Sequence, residues 1–284
     1  MDAIRREHSL EGDLERFASG SVPVYAVGTW HVVKLFPPEE RAFFNTETAA
    51  LTHLDGRLPI PTPRVIAAGR RGPWHYVLMT RMSGDRLSEA WPTIDPPGRL
   101  QLMREMGAAL AELHAVATND LEPLVVDWQR FIDTQRITCR DRQMAKGLAA
   151  PWVEAVDDFL ARWTPRDDGR RVLLHTEVMR EHILVERRGG AWRIGGLIDF
   201  EPAMLGAPGY EWAAVGIFVA SAEPGLLAAL LEAYGADVED EFPMRTMAYA
   251  LLHRYSNLRW YLERLPAIDG AGDLESLARR WFTP

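Results

Sequence analysis

The densest chemistry in the chain lies between residues 175 and 199, where His175, Glu177, His182 and Asp199 follow one another. A carboxylate can orient a hydroxyl and accept its proton, and imidazole nitrogen and carboxylate oxygen both ligate metals. The set therefore suits proton transfer beside a metal-held substrate. His175-x-Glu177 with His182 also has the ligand types of a two-histidine, one-carboxylate site for Fe(II) or Zn²⁺. Apolar runs frame these residues: 172–174 and 183–185 flank the loop that carries the first three, and 194–198 delivers Asp199. Each polar group thus falls at the end of an expected strand, where the backbone is anchored and the loop stays open to a ligand.

Other elements must hold this loop over a cleft. Residues 17–27 and 30–36 read as short strands rich in valine and aromatics, joined by a Gly28-Thr29 turn. The earlier turn Ala18-Ser19-Gly20-Ser21 could present backbone N–H groups to a phosphate. Lys34 stands inside the apolar stretch VVKLF, so it either reaches outward from an edge or is held inward by a carboxylate; Glu47, on a helix expected over residues 39–54, is the partner on offer. A proline-punctuated connector follows (LPIPTP), then strands over 64–68 and 74–82. Beyond residue 84 helices dominate. Asp95-Pro96 opens one whose face carries Met103, Met106, Leu110 and Leu113, residues 152–163 form another, and 225–234, 244–265 and 274–281 supply the rest.

With 32 basic against 40 acidic residues and a net charge of −8, the chain is a poor match for a nucleic-acid partner held through phosphates and is compatible with a cationic small molecule. Cys139 is the single cysteine, which excludes an internal disulfide and a thiolate metal cluster. The N-terminal sequence is charged, and no run reaches the roughly 18 apolar residues of a membrane span, so the expectation is a cytoplasmic protein with no membrane partner.

The loop also fits a register found in phosphoryl transfer, H-x-D-x-x-x-x-N followed by an Asp at the end of a later strand. Here His175-Thr176-Glu177, His182 five residues on, and Asp199 in LIDF reproduce that register with Glu for Asp and His for Asn. Taken with VVKLF, ETAAL, PIPTPRVIAAG, WHYVLMTRMSG and IDFEPAMLGAPGYEWA, the chain resembles the aminoglycoside phosphotransferase family of kinase-like small-molecule phosphotransferases over roughly residues 15–265.

That resemblance implies an α+β, bilobal protein-kinase-like fold: a small β-rich N-terminal lobe over 1–84, and a larger, mainly helical C-terminal lobe over 85–284 containing the hairpin 172–201. It implies ATP, or GTP, with Mg²⁺, or Mn²⁺. Lys34 would contact the phosphates and Glu47 steady it. Ser19, Gly20 and Ser21 would line the phosphates, and the backbone of Met79, Thr80, Arg81 and Met82 would face the base. Glu177 would be the catalytic carboxylate, and Asp199 and His182 the metal ligands. The acceptor would be a small hydroxylated molecule, cationic or polyhydroxylated, such as an aminoglycoside-like antibiotic, amino sugar or amino alcohol. Candidate contacts for it are Glu201, Glu211, Trp212, Tyr255, Trp260 and Tyr261, with the acidic loop at 237–241 nearby. The protein would be a monomer or homodimer. Glu177 is one methylene longer than Asp, and imidazole favours softer metals than Mg²⁺. A kinase-like binding protein with impaired catalysis is therefore the second reading, and a His-x-Glu/His metal enzyme the third.

Overall fold

The computed structural model describes every residue except Ser19 and Pro224. Valine-rich and aromatic segments form a five-stranded antiparallel sheet from β1 (Leu14–Arg16), β2 (Val24–Val27), β3 (His31–Phe36), β4 (Val65–Arg71) and β5 (Trp74–Thr80), in the order β1-β2-β3-β5-β4. Residues 17–27 are thus not one strand: β2 begins only at Val24 and pairs with β1 as a hairpin. Lys34 is central in the sheet, opposite Val24 on one side and Val77 on the other. The helix Arg41–Leu54 buries Ala50, Leu51 and Leu54 and points Glu47 at Lys34. A short helix, Asp2–Glu7, lies on the other face. Ile4 packs in a cluster with Val33 and Leu78, Glu7 pairs with Arg71, and His8 bonds the Tyr76 hydroxyl.

Two smaller sheets follow. β6 (Asp85–Arg86), β8 (Ile183–Arg188) and β9 (Ala191–Leu197) form one, in the order β6-β8-β9, and β7 (Val172–Leu174) pairs with β10 (Met204–Gly206). They sit among helices. Pro96–Ala115 packs on Leu226–Tyr234 with Gly107 at the crossing, where any β-carbon would collide with the Leu230 carbonyl. Trp128–Ala145, which the sequence reading did not anticipate, carries only Trp128, Ile132, Cys139 and Gln143 inward. Ala150–Trp163 and Leu274–Phe282 complete the packing around it.

The single helix expected over 244–265 is two, Phe242–Leu252 and Leu258–Leu262. His253 leaves the helix at φ −58°, ψ 139°, its Nδ1 accepts from the Tyr255 N–H, and Asn257 Oδ1 accepts from the Trp260 N–H to start the next helix. One apolar core runs from Phe36 and Leu51 through Met103 and Leu110 to Leu197 and Leu230, joining the five-stranded sheet to the helical region. The result is α+β, with an antiparallel sheet in the N-terminal region and a mainly helical remainder. Among the described residues no helix is long and apolar enough to cross a membrane.

Candidate active site

The inward reading of Lys34 is the one the fold adopts. Its side chain is 8% exposed, and Nζ lies 3.1 Å from Glu47 Oε2, 2.6 Å from Asp199 Oδ1 and 2.9 Å from Glu201 Oε2. Burial alone would lower the ammonium pKa, but the three carboxylates outweigh it and the net shift is upward. The same crowding raises the Glu47 carboxyl: burial pushes it up further than Lys34 pulls it down. Asp199 goes the other way. Burial opposes its charge, yet Lys34 and His182 hold it down to about 2. One cation thus ties the sheet, its helix and the hairpin end together.

The loop beneath is pinned from several sides. Thr176 has φ +69°, a conformation that costs a β-branched residue on the order of 1–3 kcal/mol and persists only under external constraint. That constraint is visible. Glu211 Oε2 and Oε1 accept from the N–H groups of His175 (2.8 Å) and Thr176 (2.9 Å), the Thr176 hydroxyl donates to the Pro202 carbonyl (3.1 Å), and His253 Nε2 donates to the Thr176 carbonyl (3.1 Å). His175 Nε2 donates to the Ile198 carbonyl and its Nδ1 accepts from the Glu177 N–H. Burial lowers the pKa values of His175 and His253 to about 4, so both brace the loop as neutral rings. With both nitrogens of His175 occupied, it is no metal ligand, which removes the two-histidine, one-carboxylate reading.

Glu177 is left part-buried beside His182 and Asp199. Burial raises its carboxyl pKa, Asp199 and Glu201 add to the rise, and His182 and Arg254 oppose it. His182 Nδ1 lies 2.8 Å from the Glu177 carbonyl, which can only accept, so Nδ1 carries the proton and Nε2 faces Asp199 Oδ2 at 3.2 Å. With Nε2 unprotonated, His182 would present a lone pair beside the Asp199 carboxylate. Asp199 itself sits at φ +72°, a strained setting for the residue that ends the hairpin.

Residues 13–247 match the phosphotransferase enzyme family. The chain belongs to that family. No curated protein sequence matches it. Among solved structures, the GDP complex of wild-type aminoglycoside 2'-phosphotransferase-IIIa is similar at 15% identity and TM-score 0.73, covering 87% of this chain and 86% of that one. The GDP and kanamycin complex of APH(2")-IIIa is similar at 14% identity and TM-score 0.71, covering 97% of each chain. APH(3'')-Id from Streptomyces rimosus with ADP and streptomycin is similar at 15% identity and TM-score 0.61, covering 88% and 96%. At these identities the likeness establishes the fold, which is kinase-like.

In this phosphotransferase the other anticipated residues divide. Ser19 lies outside the described residues. Gly20, at φ +141°, and Ser21 lie between β1 and β2, and the Ser21 hydroxyl donates to Glu201 Oε1 at 2.6 Å. Glu201 is therefore committed to Lys34 and Ser21. At the end of β5, Met79 is buried, and the N–H groups of Thr80 and Arg81 already donate to the carbonyls of Arg64 and Trp30. The expectation of a ligand-facing backbone there narrows to the remaining groups, with Met82 packed against Gly196.

Three acceptor candidates are corrected. Glu211 is fully buried with both oxygens on loop amides, Trp212 is buried against Tyr234 and His114, and Tyr261 is buried against Phe218. Tyr255 and Trp260 remain exposed. The acidic loop at 237–241 is partly neutralised by its own helix, because Arg245 pairs with Glu239 and Glu241. The sequence reading missed His253, Arg254 and the role of Thr176. The one available signal was the run HRYSN, a cluster of polar residues interrupting an apolar helix.

Proposed function

We propose that this chain transfers the γ-phosphoryl group of ATP, or GTP, to a hydroxyl of a small polyhydroxylated acceptor, with aminoglycoside-like amino sugars and amino alcohols as the first classes to test. The observation that carries this reading is the convergence of Lys34, Asp199, His182 and Glu177, from three separate elements, in one cluster. The GDP, ADP, kanamycin and streptomycin in the similar structures support it. In this reading residues 1–84 form the nucleotide-binding lobe and 85–284 the acceptor-binding lobe.

The Asp199 carboxylate suits a divalent cation of the Mg²⁺ or Mn²⁺ type, and the His182 imidazole tips the pair toward Mn²⁺. Asp199 and His182 offer two adjacent donors. Among the described residues no three His, Cys, Asp or Glu side chains gather as a ready-made cage, so phosphate oxygens and water would complete the shell. When bound, such an ion neutralises charge on the β- and γ-phosphates. The chain's own residues do the rest. Lys34, steadied by Glu47, exchanges a carboxylate contact for a phosphate oxygen. Ser21 and Gly20 close over the phosphates. Glu177 orients the acceptor hydroxyl and takes its proton at a carboxylate oxygen, a task its raised pKa suits. His175, His253 and Glu211 keep the loop in its strained geometry throughout.

A thermal-shift and turnover panel tests the reading. ATP and GTP would be run with Mg²⁺ and Mn²⁺ against aminoglycosides, amino sugars and amino alcohols, with Asp199→Ala as control. Acceptor-dependent ADP or GDP release that Asp199→Ala abolishes is expected. Turnover unaffected by Asp199→Ala would overturn the residue assignment, and nucleotide binding without turnover would favour a binding protein.

A further inference from the structure

Arg254 is the cation near the reaction centre that the proposed transfer leaves unused. Its backbone is fixed on both sides: its N–H donates to the Tyr210 hydroxyl at 3.0 Å, and its carbonyl accepts from Arg142 Nη1 at 3.3 Å. The residue before it, His253, is bonded to the Thr176 carbonyl, one position from Glu177. The guanidinium is half-buried over the Phe131 ring at 5.7 Å and reaches the Met204 sulfur at 2.7 Å. Its Nε is buried without a hydrogen-bond partner. Among the described residues no carboxylate lies within ion-pair distance of it, in contrast to Arg171, Arg180, Arg193 and Arg245. A partly desolvated guanidinium resting on an aromatic ring and a thioether is an incomplete site, because a fork of donors finds its best partner in a planar anion.

Arg254 lies in the chain between His253, which holds the Thr176 carbonyl, and the exposed Tyr255. Burial raises the Glu177 carboxyl and the Tyr255 phenol, and Arg254 opposes the rise in both, so its charge bears on the exposed Tyr255 and on the proposed catalytic carboxylate. Among the described residues, its neighbours Phe131, Met204 and Tyr255 make no ion pair or hydrogen bond with Lys34, whose carboxylate partners are Glu47, Asp199 and Glu201. The charge of the cleft further limits the anion. Glu177, which has no ion pair with Lys34 among the described residues, lies close enough to feel Arg254, and a singly charged carboxylate is repelled by it less than a phosphate dianion.

We propose that Arg254 is the specificity-determining residue of the acceptor site, and that it takes a carboxylate carried by the hydroxylated acceptor. This deepens the phosphotransferase reading and rests on it: the acceptor is an acidic polyol or a hydroxy amino acid, held by its carboxylate against Arg254 with its hydroxyl at Glu177.

Calorimetric titration of the full chain, with and without a non-hydrolysable ATP analogue and Mg²⁺, tests this with matched ligands: gluconate against glucitol, galacturonate against galactose, serine against ethanolamine, and glycerate against glycerol 3-phosphate and glycerol. At least one carboxylate is expected to bind tenfold or more tightly than its neutral or amine counterpart. That preference is expected to vanish in Arg254→Gln and to fall severalfold in Arg254→Lys, which keeps the stem and the charge but not the fork. Affinity for the ATP analogue is expected to stay within twofold in both variants, which also serves as the check that they are folded. The proposal is overturned if no carboxylate is preferred, if the preference survives in Arg254→Gln, if only glycerol 3-phosphate gains, or if Arg254→Gln weakens the ATP analogue tenfold instead. Failure of the wild-type chain to bind the analogue would sink the phosphotransferase reading separately, since carboxylate preference is still measured without nucleotide.

Discussion

Glu177 differs from the other carboxylates of the cleft in having no ion pair with Lys34 among the described residues, while Glu47, Asp199 and Glu201 all do. Removing its charge should therefore leave the nucleotide cluster intact. Glu177→Gln is expected to lower kcat by about 10²–10⁴-fold with nucleotide affinity unchanged, measured by steady-state kinetics beside equilibrium nucleotide binding. Equal loss in both would mean that Glu177 holds the site together and does not move a proton. His253 makes a pH-dependent prediction. Its pKa is about 4 in the folded chain against an ordinary 6.5, so between those values the unfolded chain binds a proton that the native chain does not. Its contribution to stability is full above pH 6.5 and is lost as pH falls toward 4, by an amount on the order of 3 kcal/mol. Wild type should lose stability relative to His253→Asn as pH falls through that window, read as the difference between their Tm values at each pH. Parallel curves would contradict a neutral, buried ring.

Two contacts decide how the elements are held. The approach of helix Leu226–Tyr234 to Pro96–Ala115 depends on the missing side chain at Gly107, so Gly107→Ala should destabilise the chain by about 1–3 kcal/mol, read by urea unfolding. Glu211 acts on the loop through its two amide contacts. Glu211→Gln keeps the shape but places an NH₂ against an N–H donor, and kcat should fall far more than nucleotide affinity, as measured on the folded variant. These elements were unevenly legible in the sequence. The β2–β3 hairpin showed itself in a glycine turn between valine-rich runs, and Lys34 stood out because an ammonium in VVKLF needs a partner. Helix Trp128–Ala145 did not show, because it buries so few side chains that its periodicity is drowned by arginine and glutamine. The helix break after Leu252 was hidden since apolar spacing continues through Leu258 and Tyr261. Glu211, Trp212 and Tyr261 were placed at the acceptor because a carboxylate or ring looks the same in sequence whether it lines a cleft or fills a core. Burial separates them. Arg254 carried the opposite problem, one arginine among many, distinguished only in three dimensions by an unpartnered buried Nε and its place beside the brace on the reaction loop.

Across the whole molecule, the N-terminal sheet and the hairpin are joined where a nucleotide would enter. Ser21 and Glu201, 180 residues apart, share a hydrogen bond, Lys34 bonds Asp199, and the Leu197 N–H donates to the Pro61 carbonyl. A ligand replacing the first two contacts binds both parts at once and should raise Tm by an amount that grows with the logarithm of its concentration over Kd. ATP with Mg²⁺ is expected to raise Tm by several degrees, EDTA to remove most of that gain, and Lys34→Ala to abolish it. A shift untouched by EDTA would argue against Asp199 and His182 as metal donors. The five residues between the helices Phe242–Leu252 and Leu258–Leu262 have a consequence for how such a protein can diverge. They hold the brace on the reaction loop in His253 and, beside it, the cation facing the acceptor in Arg254. A lineage that altered this segment to accept a new compound would disturb its own turnover in the same step. Drift in substrate range and preservation of rate are thus coupled by adjacency in the chain, and new specificities should arise more readily from exposed positions such as Trp260 than from this break.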